Sequence, residues 1–513
     1  LTSRHQGEED RTLLAGVPYH AADNYLPKLL AAGLKVAVCE QIEDPKKAKG
    51  LVKRDVVETH TPGTITERMA GDDSTNRYIV SLMPDNDYVA VACSDVSTGE
   101  FWTKEITFVD LIDELTRIEP KEIVFPESID EKYIDLLDSL LQKPSITYYP
   151  SWNFEEVNST ETLKEHFGTA TLDGFGRITP AEISACGALL SYFNELKKRH
   201  LSHITAISIK DTSRYLILDT NTVRNLELLK TVSGDVGHGT LFGSLDFTCT
   251  PMGKRLLKNW LIRPLVEQQA IDRRLAAVNE LIVLGNYLDY LRNVMCELGD
   301  LERLAARLGL EKSGPRELIA IADALNKIPI VIENIKTLNS PLMCDILENL
   351  DPLYEIRYEI EKTIIREAPL MITGGGFIRR GILPEIDELR EITTSGDNWI
   401  RSKEEEIKSK TGITKLKIRY NKVFGYFIEI PKGQAEHVPE NFIRKQTLVN
   451  QERYITPELK EMEVKVMSAH ERIVELERDF FIEFRGRLAK EASKILNLAS
   501  YLAILDVLQG FAF

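Results

Sequence analysis

The amino-acid sequence predicts a multidomain α+β protein: a small mixed α/β unit at the N-terminus, an α/β segment behind it, a large all-α core with long helices, and a small β unit where two of those helices turn. Three observations predict it. At 513 residues the chain is long enough for about three to five domains with sizeable cores. Apolar residues step by threes and fours along 386–407 and 459–488, but alternate at every second position along 416–430. The charge is also uneven. The chain carries a net −15, yet residues 414–460 hold nine Lys or Arg against five Glu, a net +4. A small basic β unit in an acidic protein is the footprint of a surface that touches phosphates, and the low overall pI requires such contact to be local.

Composition sets outer bounds. Hydrophobic content of 43% and charged content of 28% are ordinary for a soluble protein. No uninterrupted apolar run reaches transmembrane length, and no signal peptide opens the chain. Six scattered cysteines (39, 93, 186, 249, 296, 344) form no Cys-x-x-Cys, so neither a zinc ribbon nor a redox motif is suggested, and a reducing cytoplasmic setting is expected. The chain starts Leu-Thr-Ser-Arg without Met and stops at Gly-Phe-Ala-Phe straight after a helical pattern, so it reads as a fragment.

Residues 1–70 form the small mixed unit. Ala15–His20 makes a turn before a helix at Asn24–Ala32, and Leu34–Gln41 is a short strand. Thr61-Pro62-Gly63 reads as a type II turn. Lys46, Lys47, Lys49, Lys53 and Arg54 place five positive charges within nine residues, either as a solvated loop balanced by Glu43 and Asp44 or as a phosphate contact.

Residues 76–204 alternate strands and helices, with strands at Tyr78–Met83, Tyr88–Asp95, Gly99–Glu105 and Glu122–Phe125 and a helix near Asp110–Ile118. Across 71–210 there are 24 acids against 12 bases, so this segment should not lie against a phosphate backbone. Asp95, with Glu100 and other acids, raises a metal-dependent nuclease as a rival reading. The favoured reading is a turn whose carboxylate binds nearby N–H groups, because no second carboxylate stands at a matching strand end.

Residues 211–413 are mostly helical. Thr250-Pro251 opens a capped helix that ends at Arg263-Pro264, and Asp300 opens another. Gly374-Gly375-Gly376 lacks the Gly-Lys-Ser/Thr ending of a phosphate loop and is expected to be a hinge; Gly253-Lys254 fails the same test. His200-x-x-His203 has no third ligand nearby, so no metal is expected.

The basic unit closes the series. Leu416, Ile418 and Tyr420 point one way and Lys415, Lys417 and Arg419 the other; after a turn at Asn421–Val423, Phe424, Tyr426, Ile428 and Ile430 continue the pattern, a hairpin with one buried face. Thr456-Pro457-Glu458 then starts a helix, whose apolar stripe runs from Leu459 to Leu488. Forty residues of it would span ~60 Å. Two long antiparallel helices with a basic β tip make a lever with a hand at its end.

These residues resemble a known family. Leu-Lys-Ile-Arg-Tyr-Asn-Lys-Val-Phe-Gly-Tyr-Phe-Ile-Glu-Ile (416–430) and Arg-Lys-Gln-Thr-Leu-Val-Asn-Gln-Glu-Arg-Tyr-Ile-Thr-Pro-Glu-Leu-Lys-Glu (444–461) resemble the clamp of the MutS family of DNA mismatch-repair proteins. Leu1–Arg4, Ala15–His20, Val36–Pro45 and Arg54–Thr64 resemble its mismatch-binding domain. Arg224–Leu228, Gly243–Gly253 and Leu301–Leu308 resemble its core. The resemblance implies a partial mismatch-binding domain at 1–70, an RNase H-like connector at 71–204, the first part of the core or lever domain at 205–413, the clamp at 414–460, and the returning lever helix at 461–513. It implies binding of duplex DNA with mismatches or small loops, with no catalytic centre in this chain. DNA contact is expected at Lys417, Asn421, Lys422, Arg444, Lys445, Gln446, Thr447, Asn450 and Arg453 in the clamp, and at Arg4, Lys49 and Arg54 in the first domain. The family's Phe-x-Glu reading motif is expected upstream of Leu1, and its ATPase domain, using ATP and Mg, after Phe513. The intact protein would be a homodimer that works with MutL, cytoplasmic and nucleoid-associated. A relative that binds branched DNA is the alternative.

Overall fold

The computed structural model describes residues 2–4, 12–14, 22–41, 43, 52–64, 75–140, 142–197, 201–421, 425–439 and 441–513. They fall into two compact units. One comprises Leu1–Ser313, Ala320–Ile356 and Arg487–Phe513; the other comprises Gly314–Ile319 and Arg357–Gly486.

In the first unit, β1 (Thr2–Arg4) pairs antiparallel with β2 (Thr12–Leu14), and β3 (Val36–Gln41) pairs antiparallel with β4 (Arg54–His60). The helix between these pairs is Ala22–Ala31. The expected turn at Ala15–His20 and the cations Lys46, Lys47 and Lys49 lie outside the described residues. The turn after β4 is present, with the Thr64 N–H donating to Thr61 O at 3.1 Å. It is not type II, because Gly63 does not have the positive φ which that turn demands. Glycine serves there for space: a Cβ would lie 2.2 Å from Ile79 Cγ1. Gly63→Ala should therefore cost about 1–3 kcal/mol through overpacking. In an Ile79→Ala background most of that added cost should vanish, and a double-mutant cycle in denaturant measures both.

Behind it lies a six-stranded sheet of β5 (Ile79–Asp85), β6 (Tyr88–Asp95), β7 (Glu100–Thr107), β8 (Glu122–Pro126), β9 (Ser145–Tyr149) and β10 (Ser208–Ile209). Their spatial order is β10-β7-β6-β5-β8-β9. The antiparallel meander β5–β6–β7 is extended by parallel strands on both sides. Period-two alternation sends Val80, Leu82, Val91 and Trp102 to one face, beneath the helix Leu111–Ile118, and Ile79, Ala90, Ala92 and Phe101 to the other, beneath the helix Pro180–Lys197.

One ion cluster ties this sheet to the helical region of the same unit. Glu114 is fully buried and meets Lys104 at 2.5 Å, Arg117 at 3.1 Å and Arg263 at 3.1 Å. The Arg263 guanidinium also lies over the Trp102 ring at 5.2 Å. Burial alone would raise the Glu114 pKa, but Lys104, Arg263 and Arg117 together hold it below the ordinary glutamate value.

The helical region shows the predicted cap, Thr250 Oγ1 accepting from Gly253 N at 3.0 Å, and a second cap in which Asp300 Oδ1 accepts from Arg303 N at 3.3 Å. By length and average composition the helix Ala492–Ala512 is apolar enough to cross a membrane, although Lys494 and Asp506 interrupt its apolar run. It packs as a core helix. Its buried Asp506 accepts hydrogen bonds from Cys249 N (2.9 Å), Thr250 N (2.8 Å) and Thr250 Oγ1 (2.6 Å), supporting the start of the helix Pro251–Ile262.

The second unit is built on two helices, Pro384–Thr411 with 28 residues and Pro457–Ala489 with 33, so about 42 and 50 Å long. The second is shorter than the forty residues expected, because the chain turns at Lys490-Glu491 before Ala492. The helices run antiparallel: Lys403 pairs with Glu458 at 2.8 Å, Gly396 backs on Val466, and Arg390 meets Glu477 at 2.6 Å.

Gly374–Gly376 is not a free hinge. Gly375 and Gly376 both have positive φ, and the resulting concave backbone holds an anion. That anion is the fully buried Glu477 carboxylate, which accepts from Gly376 N, from Phe377 N at 3.3 Å and from Arg390 Nη2 at 2.6 Å.

Candidate nucleic-acid interface

Between the two long helices the chain forms a four-stranded antiparallel sheet: β11 (Lys417–Asn421), β12 (Gly425–Pro431), β13 (Ile443–Thr447) and β14 (Gln451–Ile455), in the order β11-β12-β14-β13. One face is apolar. Leu416, Ile428, Ile430 and Tyr454 pack with Ile400, Ile407, Ile413 and Leu459 from the helix ends. This burial fixes the register, since a one-residue slip would turn the apolar set outward.

The opposite face is less uniformly basic than the alternation suggests. Lys417, Glu429, Arg453 and Gln446 lie side by side across all four strands. Glu429 is buried, with Arg419 Nε at 3.7 Å on one side and Arg453 Nε at 3.7 Å on the other. Arg453 also donates to Gln446 Oε1 at 2.8 Å and lies 4.5 Å above the Phe427 ring. The expectation of a single buried face is thus corrected. Phe427 and Glu429 are buried on the second face, and Tyr420, assigned to the buried side, is exposed.

The sequence-predicted residues therefore separate into groups. Arg453 and Gln446 hold the sheet together. Arg444 is exposed and pairs with Glu452 at 3.5 Å. Glu452 also accepts from the Tyr454 hydroxyl, and burial together with that carboxylate pushes the Tyr454 pKa up to about 12. A bulge between Arg444 and Gln446 takes Lys445 out of the ladder. Lys445, Thr447 and Asn450 are exposed around the β13–β14 turn, where Val449 is 87% exposed. Lys417 is exposed on the edge strand, its charge felt by Glu404, which burial would raise but which Lys408 and the Ile418 N–H hold below its ordinary value. Asn421 is half-buried at the end of β11. Lys422 lies outside the described residues.

In the first domain Arg54 is exposed at the start of β4, opposite Gln41. Arg4 lies in β1 opposite Thr12, and its side chain is outside the described residues, as is Lys49. The sequence reading missed Arg419 as a partner of Glu429. The signal was available: a glutamate inside the apolar run Tyr-Phe-Ile-Glu-Ile must be matched by cations on neighbouring strands once it is buried.

Among the described residues, the carboxylate and the glycine loop that invited a nuclease or nucleotide reading are otherwise engaged. Asp95 is buried in a turn, where its carboxylate accepts from Ser97 N (2.9 Å), Ser97 Oγ (2.6 Å) and Arg77 N (2.9 Å). His203 fastens the same turn, with Nε2 2.9 Å from Val96 O, and His200 lies outside the described residues. No group of three or more His, Cys, Asp or Glu suited to a metal occurs among the described residues. The glycine loop most like a phosphate cradle is filled by Glu477.

A small sheet with exposed cations, carried on paired long helices and accompanied by a mixed α/β domain, defines a lever-and-clamp protein. Family profiles match along the chain: MutS domain I at residues 1–69, MutS domain II at 77–205 and MutS domain III at 221–512. The chain belongs to the MutS family. It is 40% identical to the DNA mismatch repair protein MutS of Caldanaerobacter subterraneus subsp. tengcongensis, over all of this chain and 59% of that protein. It is 40% identical to that of Clostridium novyi, over all of this chain and 56% of that protein, and 39% identical to that of Alkaliphilus metalliredigens, over all of this chain and 59% of that protein. The chain spans less than two thirds of the length of these relatives.

Proposed function

We propose that this chain is the DNA-engaging part of a mismatch-repair protein, and that the four-stranded sheet grips the duplex backbone without reading its sequence. The observation that carries the reading is the exposure of Lys417, Lys445, Thr447 and Asn450 on and around a four-stranded sheet within a chain of net charge −15. Lys422, Arg444, Arg4, Lys49 and Arg54 join the phosphate contacts on this reading, while Asn421, Gln446 and Arg453 position them. Phosphate contacts of this kind fix orientation and carry no base information. In the intact protein we propose a homodimer that acts on mismatched duplexes and engages MutL, with a separate ATPase domain using ATP and Mg to drive the lever helices.

Fluorescence anisotropy over a salt series tests this. The chain should bind duplex DNA weakly, with affinity falling steeply as salt rises. Lys417→Glu with Lys445→Glu should lower affinity by about 10- to 100-fold and flatten the salt slope, since two fewer counterions are released. Binding at any salt that ignores this double variant would overturn the assignment of the sheet. A matched duplex and a single-mismatch duplex measured side by side show whether these domains discriminate.

A further inference from the structure

The sequence scatters its cysteines, but the fold brings two of them together. Cys249 directly precedes the capping Thr250, and Cys296 ends the helix Asn286–Cys296, 47 positions later. The Cys249 thiol donates to Arg292 O at 3.5 Å, the carbonyl one helical turn before Cys296, which sets it against the end of the helix that carries the Cys296 thiol. Its place is fixed by neighbours. Cys249 N donates to Asp506 at 2.9 Å, Gln509 Nε2 donates to its sulfur at 3.8 Å, and Arg292 holds Phe247 O at 2.9 Å. Cys296 is exposed, Cys249 is half-buried, and both are free thiols in this structure. An accessible thiol beside a sheltered one is the arrangement of an attacked and a resolving cysteine.

We propose that Cys249 and Cys296 form a reversible disulfide, a thiol-oxidation site inside MutS domain III. With a small disulfide as oxidant, the Cys296 thiolate attacks one of its sulfurs and releases one thiolate. The Cys249 sulfur, giving up its proton to solvent, then attacks the Cys296 sulfur of the mixed disulfide and releases the second thiolate. The protein loses two protons and two electrons, and the oxidant becomes two thiols. Burial, followed by the Cys296 contact, pushes the Cys249 pKa up to about 12, which assigns the first attack to Cys296. The bridge would tie the start of the helix Pro251–Ile262 to the end of the helix Asn286–Cys296, both within one compact unit.

The test is to incubate the full chain with oxidised glutathione, block remaining thiols with iodoacetamide, and digest with trypsin without reduction. The expected product links peptides 231–254 and 293–303, is lost on adding dithiothreitol, and is absent in Cys249→Ala. In Cys249→Ala, Cys296 should instead stop at the glutathione mixed disulfide, a product that also reports a folded, reactive site. Cys296→Ser, an exposed change, should leave Cys249 alkylated only after denaturation. Recovery of both peptides separately, alkylated or glutathionylated, in the unmutated chain would overturn the proposal.

Discussion

In urea, Glu477→Ala should unfold the lever-bearing unit with about 3–5 kcal/mol less stability than the unmutated chain, the range seen when one partner of a buried ionic contact is removed. The carboxylate has three obligations at once: Gly376 N, Phe377 N and Arg390. Removing it leaves two backbone donors facing a void, each costing about 1–3 kcal/mol, and leaves Arg390 with only Asp387 and Ile378 O as partners. Glu477→Gln keeps an acceptor and loses the charge, so it should fall between the two. Hydrogen exchange at Gly376 and Phe377 separates this account from a simple packing defect. Those two amides should lose protection first in the Ala variant. Protection unchanged there, with stability lost elsewhere, would refute the nest.

The second large effect concerns Glu114. Glu114→Gln leaves Lys104, Arg117 and Arg263 without their shared counter-charge, and should cost about 3–5 kcal/mol at neutral pH. The pH dependence follows from the depressed carboxylate. Its stabilisation is fully present above the unfolded glutamate pKa of about 4.3 and is lost as pH falls through the lower folded value. Thermal melts from pH 7 down to pH 3 should therefore show the gap between the two proteins narrowing below about pH 4. A gap that stays constant across that range would mean that the folded structure does not depress the Glu114 pKa.

Much of the architecture was legible because it is local. The alternation in Leu416–Ile430 and the three-and-four spacing along the lever helices state which face is buried, and caps such as Thr250 and Asp300 follow from hydrogen-bonding chemistry within a few residues. What stayed hidden depends on long-range approach. Gly374–Gly376 gave no hint that its anion would come from Glu477, about a hundred residues on. Gly63 looked like a conformational glycine because the proximity of Ile79 cannot be read from a turn motif. Across 414–460 nine cations could be counted, but their division into structural and exposed sets needed the register that places Glu429 between Arg419 and Arg453. The bulge at Lys445 likewise shifts the face of the residues beyond it, which strict alternation cannot foresee.

The burial of Glu429 has a kinetic side. By engaging Arg419 and Arg453 it leaves the sheet with a few peripheral cations in place of a dense positive plate. On the proposed reading, each phosphate contact at that rim is then individually weak and quickly exchanged. A grip made of such contacts offers little friction to motion along the duplex axis. Glu429→Gln would remove the counter-charge of both arginines, and on that reading the same hand would hold harder but travel more slowly.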